Sequence, residues 1–525
     1  MLRLPPCRVK NYASLSSIFR ERRHTEFILK SITAKQKTSA SGEGTSRQLA
    51  PSSRWALTSL ALSMLLSSLG TSIANVGLPT LAQAFNASFQ QVQWVVLAYL
   101  LAVTTLVVSV GRLGDIIGRR RLLLAGILVF AAGSGLCGLA PALWVLIAAR
   151  AVQGAGAAIM MALTLAFVGE IVPKARTGRA MGLLATMSAI GTALGPSLGG
   201  VLIAGAGWQA IFLVNVPLGL VTFVLARRYL PLDYREPKTD KTGFDPVGTL
   251  LLALTLAAYA LAMTTRHGDA RGAVGALNMA LLLAAFCGLG LFVLAEAKAA
   301  SPLIRLEMFR DLALSASLAT NALVSTVMMT TLVIGPFYLS RALGLDAALV
   351  GLALSVGPLA AALTGVPAGR IVDRFGAHRT AIFGLIEIAA GSVLLSMMPA
   401  TLGISGYIAP IVVMTIGFAL FQTANNTAVM ADIQPHQRGV ISGMLNLSRN
   451  LGFITGTAVM GAVFAFASAT PDIATSGPEA VATGMRTTFA VATMLVLTAL
   501  AIAAAGRAFA VPSSLAGAAS PRQNS

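Results

Sequence analysis

Charge is scarce in this chain of 525 residues: Asp, Glu, Lys and Arg together make up only 11% of it. A water-soluble domain carries about 25%, so there is too little charge here to coat a surface that faces water. Cysteine is nearly missing too. Two of the three, Cys137 and Cys287, lie inside apolar runs and the third is Cys7, which leaves no disulfide framework and no metal-ligand spacing. The four histidines (His24, His267, His378, His436) fall outside the apolar runs and offer no buried metal site. No G-x-x-x-x-G-K-[ST] loop is present to cradle a nucleotide, so an ion gradient is the expected energy source. The scarcest charge is negative, 19 Asp and Glu against 38 Lys and Arg, for a net charge of +19. That excess does not imply nucleic acid as a partner: cytoplasmic loops of a multi-span membrane protein are loaded with Lys and Arg.

Apolar residues are what remains. They make up 56% of the chain, and the mean hydropathy is +0.79. Disorder, a disulfide scaffold and a nucleic-acid module are excluded on composition alone. A membrane helix needs roughly 20 apolar residues, and fourteen such runs follow one another: 56–78, 92–110, 122–140, 142–163, 180–203, 209–226, 246–264, 274–295, 312–336, 347–367, 380–398, 405–429, 440–466 and 487–506. The expected fold class is therefore all-α integral membrane, with 14 transmembrane helices. Residues 1–53 are polar, Ser-rich and basic, without a run that could span a bilayer. They read as a disordered cytoplasmic tail, with a targeting segment or an upstream start as alternatives. A second short tail is expected over 508–525.

Basic residues set the orientation. With the N-terminus inside, outer loops hold only Arg266, Arg271, Arg341 and Arg486. Inner loops hold clusters such as Arg112/Arg119/Arg120/Arg121 and Lys174/Arg176/Arg179. Both termini are expected in the cytoplasm, of a protein of the plasma or inner membrane.

An internal repeat is visible. Gly111-Arg-Leu-Gly-Asp115-Ile-Ile-Gly118-Arg119 after the second run returns as Gly369-Arg-Ile-Val-Asp373-Arg-Phe-Gly376 after the tenth. Glu170-Ile-Val-Pro173 after the fourth returns as Asp432-Ile-Gln-Pro435 after the twelfth. Two six-helix bundles, 54–230 and 312–507, then flank a linker with an inserted helix pair, 231–311. Parallel repeats with a site between them are a transporter architecture. In the repeated loop, glycines allow a tight turn, and Asp115 can latch onto neighbouring guanidinium groups; Asp373 would do the same in the second half. The plain alternative is a basic topology signal.

These residues resemble the major facilitator superfamily, in its fourteen-span drug:proton antiporter branch, over about 54–506. The loop signature G-x-L-x-D-x-x-G-R-[RK] is met at Gly111, Leu113, Asp115, Gly118, Arg119 and Arg120. R-x-x-Q-G in the fourth span is met at Arg150, Gln153 and Gly154, and the antiporter signature G-x-x-x-G-P-x-x-G-G at Gly191, Gly195, Pro196, Gly199 and Gly200. The resemblance implies a major-facilitator fold, a role for Arg150 in proton transfer, and a fifth span that seals the cavity against leak. One position departs from the branch. Its first span usually carries an acid a few residues before Asn-Val-x-Leu-Pro; here Asn75-Val-Gly-Leu-Pro79 is preceded by Gly70 at that place.

The residues carry meanings of their own. A charge deep in a span costs at least ~2.5 kcal/mol to insert, so Arg150 should face a cavity or a partner, unless it lies close enough to the surface to snorkel. Gly191, Gly195 and Gly199 share a helix face on which another helix can approach closely; Gly452 and Gly456 echo them. Asn75, Gln153, Gln422 and Asn425, with Asn321, Asn426, Asn446 and Arg449, are candidate pathway residues or interhelical glue. Glu387 is the one carboxyl deep in a span, and is either the proton site or a packing partner. Gly195-Pro-Ser197-Leu-Gly199 fits a lipase expression, but a nucleophile elbow needs a strand-turn-helix setting, so no enzyme is expected. The sequence reads as a proton-coupled antiporter that exports drugs or other small amphipathic compounds and needs no cofactor. The alternatives are a dedicated exporter of a metabolite (amino acid, siderophore or biosynthetic product) and a non-transporting membrane sensor.

Overall fold

Fourteen helices in the structure, a computed structural model, are long and apolar enough to cross a bilayer, and the described residues form no strand. In hydrocarbon each backbone N–H and C=O must be paired within its own segment, which a helix achieves and an open strand does not. The structure describes residues 51–172, 177–232, 245–264, 276–299, 306–431, 438–468 and 477–509. The tails expected over 1–53 and 508–525 lie almost wholly outside the described residues, as do most of the basic linker after 232 and the second-half segment 432–437.

We number the spanning helices in chain order. The first six are α1 (Pro51–Val76), α2 (Phe89–Ile117), α3 (Arg119–Gly138), α4 (Leu143–Ile171), α5 (Thr177–Ala206) and α6 (Asn215–Tyr229). The next two, α7 (Pro246–Thr264) and α8 (Ala276–Lys298), occupy the expected inserted positions. The last six are α9 (Leu312–Phe337), α10 (Ala347–Phe375), α11 (Ala377–Met397), α12 (Gly403–Ala431), α13 (Arg438–Thr455) and α14 (Pro478–Phe509). A wide π turn, Gly456–Met460, joins α13 to a last helical stretch, Gly461–Ala467.

Several of the rare acids start helices. Asp311 accepts from the Ala313 and Leu314 amides at the head of α9, and Asp346 from Leu349 at the head of α10. Asp245 accepts from Gly248 in the first turn of α7. Each satisfies amides that the first helical turn leaves without partners. Ser88 and Gln91 close a capping box on α2.

The repeated motif is less of a loop than the sequence implies. Helix α2 continues through Gly111 to Ile117, and only Gly118 turns the chain, at φ 107°. In the second half α10 runs through Gly369 to Phe375, and Gly376 turns it at φ 85°. That region of φ is costly for any residue with a Cβ. Gly111 and Gly369, in contrast, sit in regular helix with open space where a Cβ would be, so they do not make the turn.

Burial separates inner from outer helices. Of the apolar window in α9, 78% of residues are buried, against 17% in α8, whose Phe286, Leu283 and Leu294 face outward. The glycines of α5 lie on α1: Gly191 against Leu65 and Ser68, Gly195 against Ser72, and Gly199 against Ile73 and Val76. Ser72 donates to the Gly191 carbonyl at 3.2 Å, and the Ser68 and Ser188 hydroxyls lie 2.6 Å apart. The same device recurs in the last six helices, where Gly452 of α13 and Gly456 of the π turn after it lie on Ala322, Ser325, Thr326 and Met329 of α9. Close approach of this kind replaces the hydrophobic drive that lipid does not supply.

Candidate functional site

Arg150 is fully buried in α4, and it does not snorkel. Its Nε donates to the Val95 carbonyl of α2 at 2.9 Å, and its Nη1 donates to the Gly70 carbonyl of α1 at 3.1 Å and to Gln153 Oε1 at 2.5 Å. The Gln153 amide in turn donates to Ser134 Oγ of α3 at 2.7 Å. The guanidinium carbon lies 4.3 Å from the centre of the Tyr99 ring and 5.8 Å from that of Phe212. Tyr99 is held in place by donating to the Ser67 carbonyl at 2.8 Å. Every acceptor here is neutral. The cation is spread over carbonyl dipoles and a ring face, each worth a modest amount once desolvated, and the buried Nη2 has no hydrogen-bond partner.

Position 70 belongs to this cluster. A Cβ on Gly70 would lie 3.1 Å from the Phe130 ring and 3.2 Å from the Tyr99 hydroxyl. Where the branch places an acid, this chain offers a backbone carbonyl, and Arg150 uses it.

One end of the molecule is closed across its two sets of six helices. Phe89 of α2 meets Phe337 edge-on at 4.8 Å and Phe464 at 5.4 Å. Gln93 donates to the Thr457 carbonyl at 2.8 Å. Gly200 of α5 lies against the Ala347 carbonyl and Gly351 of α10, and Gly351 against the Pro196 carbonyl. The inserted helix α7 touches both sides: Thr264 accepts from Trp94 Nε1 at 3.0 Å, and the Tyr259 hydroxyl donates to Thr455 at 3.2 Å. The Gly118 and Gly376 turns lie at the opposite end.

The remaining sequence candidates scatter. Glu387 is part-buried on α11, its Cβ side against Gly417 of α12, and one buried carboxyl oxygen has no partner. Helix α11 packs on α12 and α14, so the structure does not bring Glu387 together with Arg150. Gln153 is buried and bonds to Arg150 and Ser134. Asn75 is buried, bonding to its own helix at the Thr71 carbonyl, 3.4 Å away. Asn425 lines a cavity of about 530 Å³ at the turn end of the last six helices, with Thr320, His378 and Phe421. Gln422 lies one turn away, its carbonyl oxygen buried without a partner. Asp373 and Arg119 sit at the turns, Asp373 exposed, while the side chains of Asp115 and Glu170 lie outside the described residues. Ser197 donates to Leu194 within its own helix, at 3.2 Å. The sequence reading missed Tyr99 and the Phe89–Phe337–Phe464 cluster, since an aromatic in an apolar run carries no mark of what it touches.

Residues 60–457 match a family model described as Major Facilitator Superfamily. The chain is 32% identical to the uncharacterized transporter YebQ of Escherichia coli, over 77% of this chain and 88% of that one. It is 31% identical to the riboflavin transporter RibZ of Clostridioides difficile, over 77% and 87% respectively. To the multidrug efflux pump LfrA of Mycolicibacterium smegmatis it is 31% identical, over 80% and 83%. Among solved structures, a bacterial homolog of the human lysosomal transporter Spinster superposes with a TM-score of 0.61 at 16% identity, over 87% of this chain and 98% of that one. The nucleoside transporter NupG superposes at 0.60 with 12% identity, over 87% and 100%. These last two share the fold.

Proposed function

The chain belongs to the Major Facilitator Superfamily, and on that premise we propose that this multi-pass transporter is a proton-coupled antiporter that exports drugs or other small amphipathic compounds. It is a transporter and not an enzyme, as are the relatives it resembles. The observation that carries the transport reading is the closure at one end, where Phe89 meets Phe337 and Phe464 and Gly200 meets Gly351. A carrier that alternates access needs one end shut while the other is open; a sensor needs no such seal. We take the basic end, with its Gly118 and Gly376 turns, as cytoplasmic, with both termini on that side. The closed end then faces outward, which supports a state that loads from the cytoplasm.

Coupling to protons rests on the buried Arg150 cluster and on Glu387, the membrane-embedded carboxyl available to bind and release a proton. The similarity to LfrA supports drugs as substrates. The similarity to RibZ favours, as second reading, a single dedicated metabolite. The discriminating experiment uses inside-out vesicles with a panel of dyes and antibiotics. Uptake of several chemically unrelated compounds, abolished when nigericin collapses the pH gradient, is the expected result. Uptake of one compound alone selects the second reading, and no uptake of any overturns both.

A further inference from the structure

Resting on that reading, we propose that the exported compound is an amphipathic organic anion and that Arg449 is the cation that selects it. The eight helices α1, α2, α4, α5, α9, α10, α12 and α13 hold three carboxylates in all, Asp115, Glu170 and Asp373, each within the last three residues of its helix at the turn end. Between those helices the membrane interior therefore holds no fixed negative charge. It does hold Arg150 and Arg449, in α4 and α13. A cation inside the bilayer is expensive and is kept where it meets a partner or a water-filled space.

Arg150 is enclosed by its neutral acceptors. Arg449 is not. It lies eleven residues into α13, about 16 Å along the axis at a rise of ~1.5 Å per residue, yet it stays part-exposed while Leu445 and Ser448 beside it are buried on α9. Among the described residues its one hydrogen-bond partner is Asn446 Oδ1, at 2.7 Å, and its buried Nε has none. Eight residues further on, in the π turn that follows α13, the Thr457 carbonyl accepts from Gln93 of α2, across the closure. Arg449 is thus set two turns before the seal, part-exposed, with its Nε unpartnered and no carboxylate on its own helix. An organic cation entering there would meet a like charge and nothing to neutralise it. A carboxylate, sulfonate or phosphate ester would supply the acceptor that Nε lacks, in the fork geometry that guanidinium favours.

The test uses two xanthene dyes of opposite charge, carboxyfluorescein and rhodamine 123, with the full chain in proteoliposomes. Carboxyfluorescein is expected to move at least tenfold faster than rhodamine 123, Arg449→Gln to abolish that preference, and Arg449→Lys to keep part of it. Faster rhodamine 123 flux that Arg449→Gln leaves unchanged overturns the proposal and leaves the export reading intact. If neither dye moves, anisotropy of each dye with purified protein decides. Carboxyfluorescein binding that weakens at least tenfold in Arg449→Gln sustains the charge selection and counts against export. Equal binding of the two dyes, or none, overturns it.

Discussion

The carbonyl of Gly70 accepts a hydrogen bond from Arg150 Nη1 at 3.1 Å, so the first span answers a buried cation with its backbone. Position 70 is also tight, with the Phe130 ring and the Tyr99 hydroxyl close to where a Cβ would stand. Gly70→Ala should lower stability by about 1–3 kcal/mol through overpacking. Gly70→Asp, although bulkier, should lose less than Gly70→Ala, because its carboxylate pairs with the partnerless Nη2. Thermal unfolding of both purified variants checks this, and a Gly70→Asp protein less stable than Gly70→Ala would show that no such pair forms.

Arg150→Lys should be more harmful than an exchange between two cations suggests. An ammonium cannot reach Val95, Gly70 and Gln153 with the geometry of a planar fork. Leaving even one of these buried carbonyls without its donor costs about 1–3 kcal/mol. A reduced melting temperature with at least tenfold slower flux is expected; wild-type values for both would mean the cluster is incidental.

The two kinds of glycine in the repeated motif should separate cleanly. Gly118→Ala and Gly376→Ala force a side chain into positive φ, a strain of about 1–3 kcal/mol. Gly111→Ala and Gly369→Ala meet open space in a regular helix and should be neutral or slightly stabilising. Melting temperatures of the four variants suffice. Equal losses at all four positions would contradict the turn assignment.

Gly351→Val should pry the closed end apart, since Gly351 meets the Pro196 carbonyl and Gly200 directly. Spin labels at positions 85 and 345, near that end, should report a longer distance in the variant than in the wild type. An unchanged distance would mean the two sets of helices are held together elsewhere.

Much of this molecule could be read from its sequence. Apolar runs located all fourteen spans because lipid leaves the helix as the one backbone solution at that length. They do not say where the helices themselves end. The run containing Val110 stops there, but α2 continues through charged residues to Ile117, since a helix needs no apolar side chains once it leaves the hydrocarbon. Arg150 was legible as a charge in an apolar run, but its partners were not: two of its three acceptors are backbone carbonyls, which any residue provides. Gln153 read equally as pathway or glue, because the sequence cannot say which face of α4 meets α3; its bonds run to Arg150 and Ser134. Glu387 stood out for its depth, whereas its place against Gly417 follows from helix packing alone.

Exchange of substrate for protons is the claim on which the rest depends. Its most direct measurement is a pH electrode in weakly buffered medium around proteoliposomes loaded with carboxyfluorescein at equal pH on both sides. As dye leaves, protons should enter and the medium should turn alkaline, in the wild type but not in Glu387→Gln. Dye efflux with no change in external pH would contradict proton exchange. An identical alkaline shift in Glu387→Gln would remove Glu387 from it.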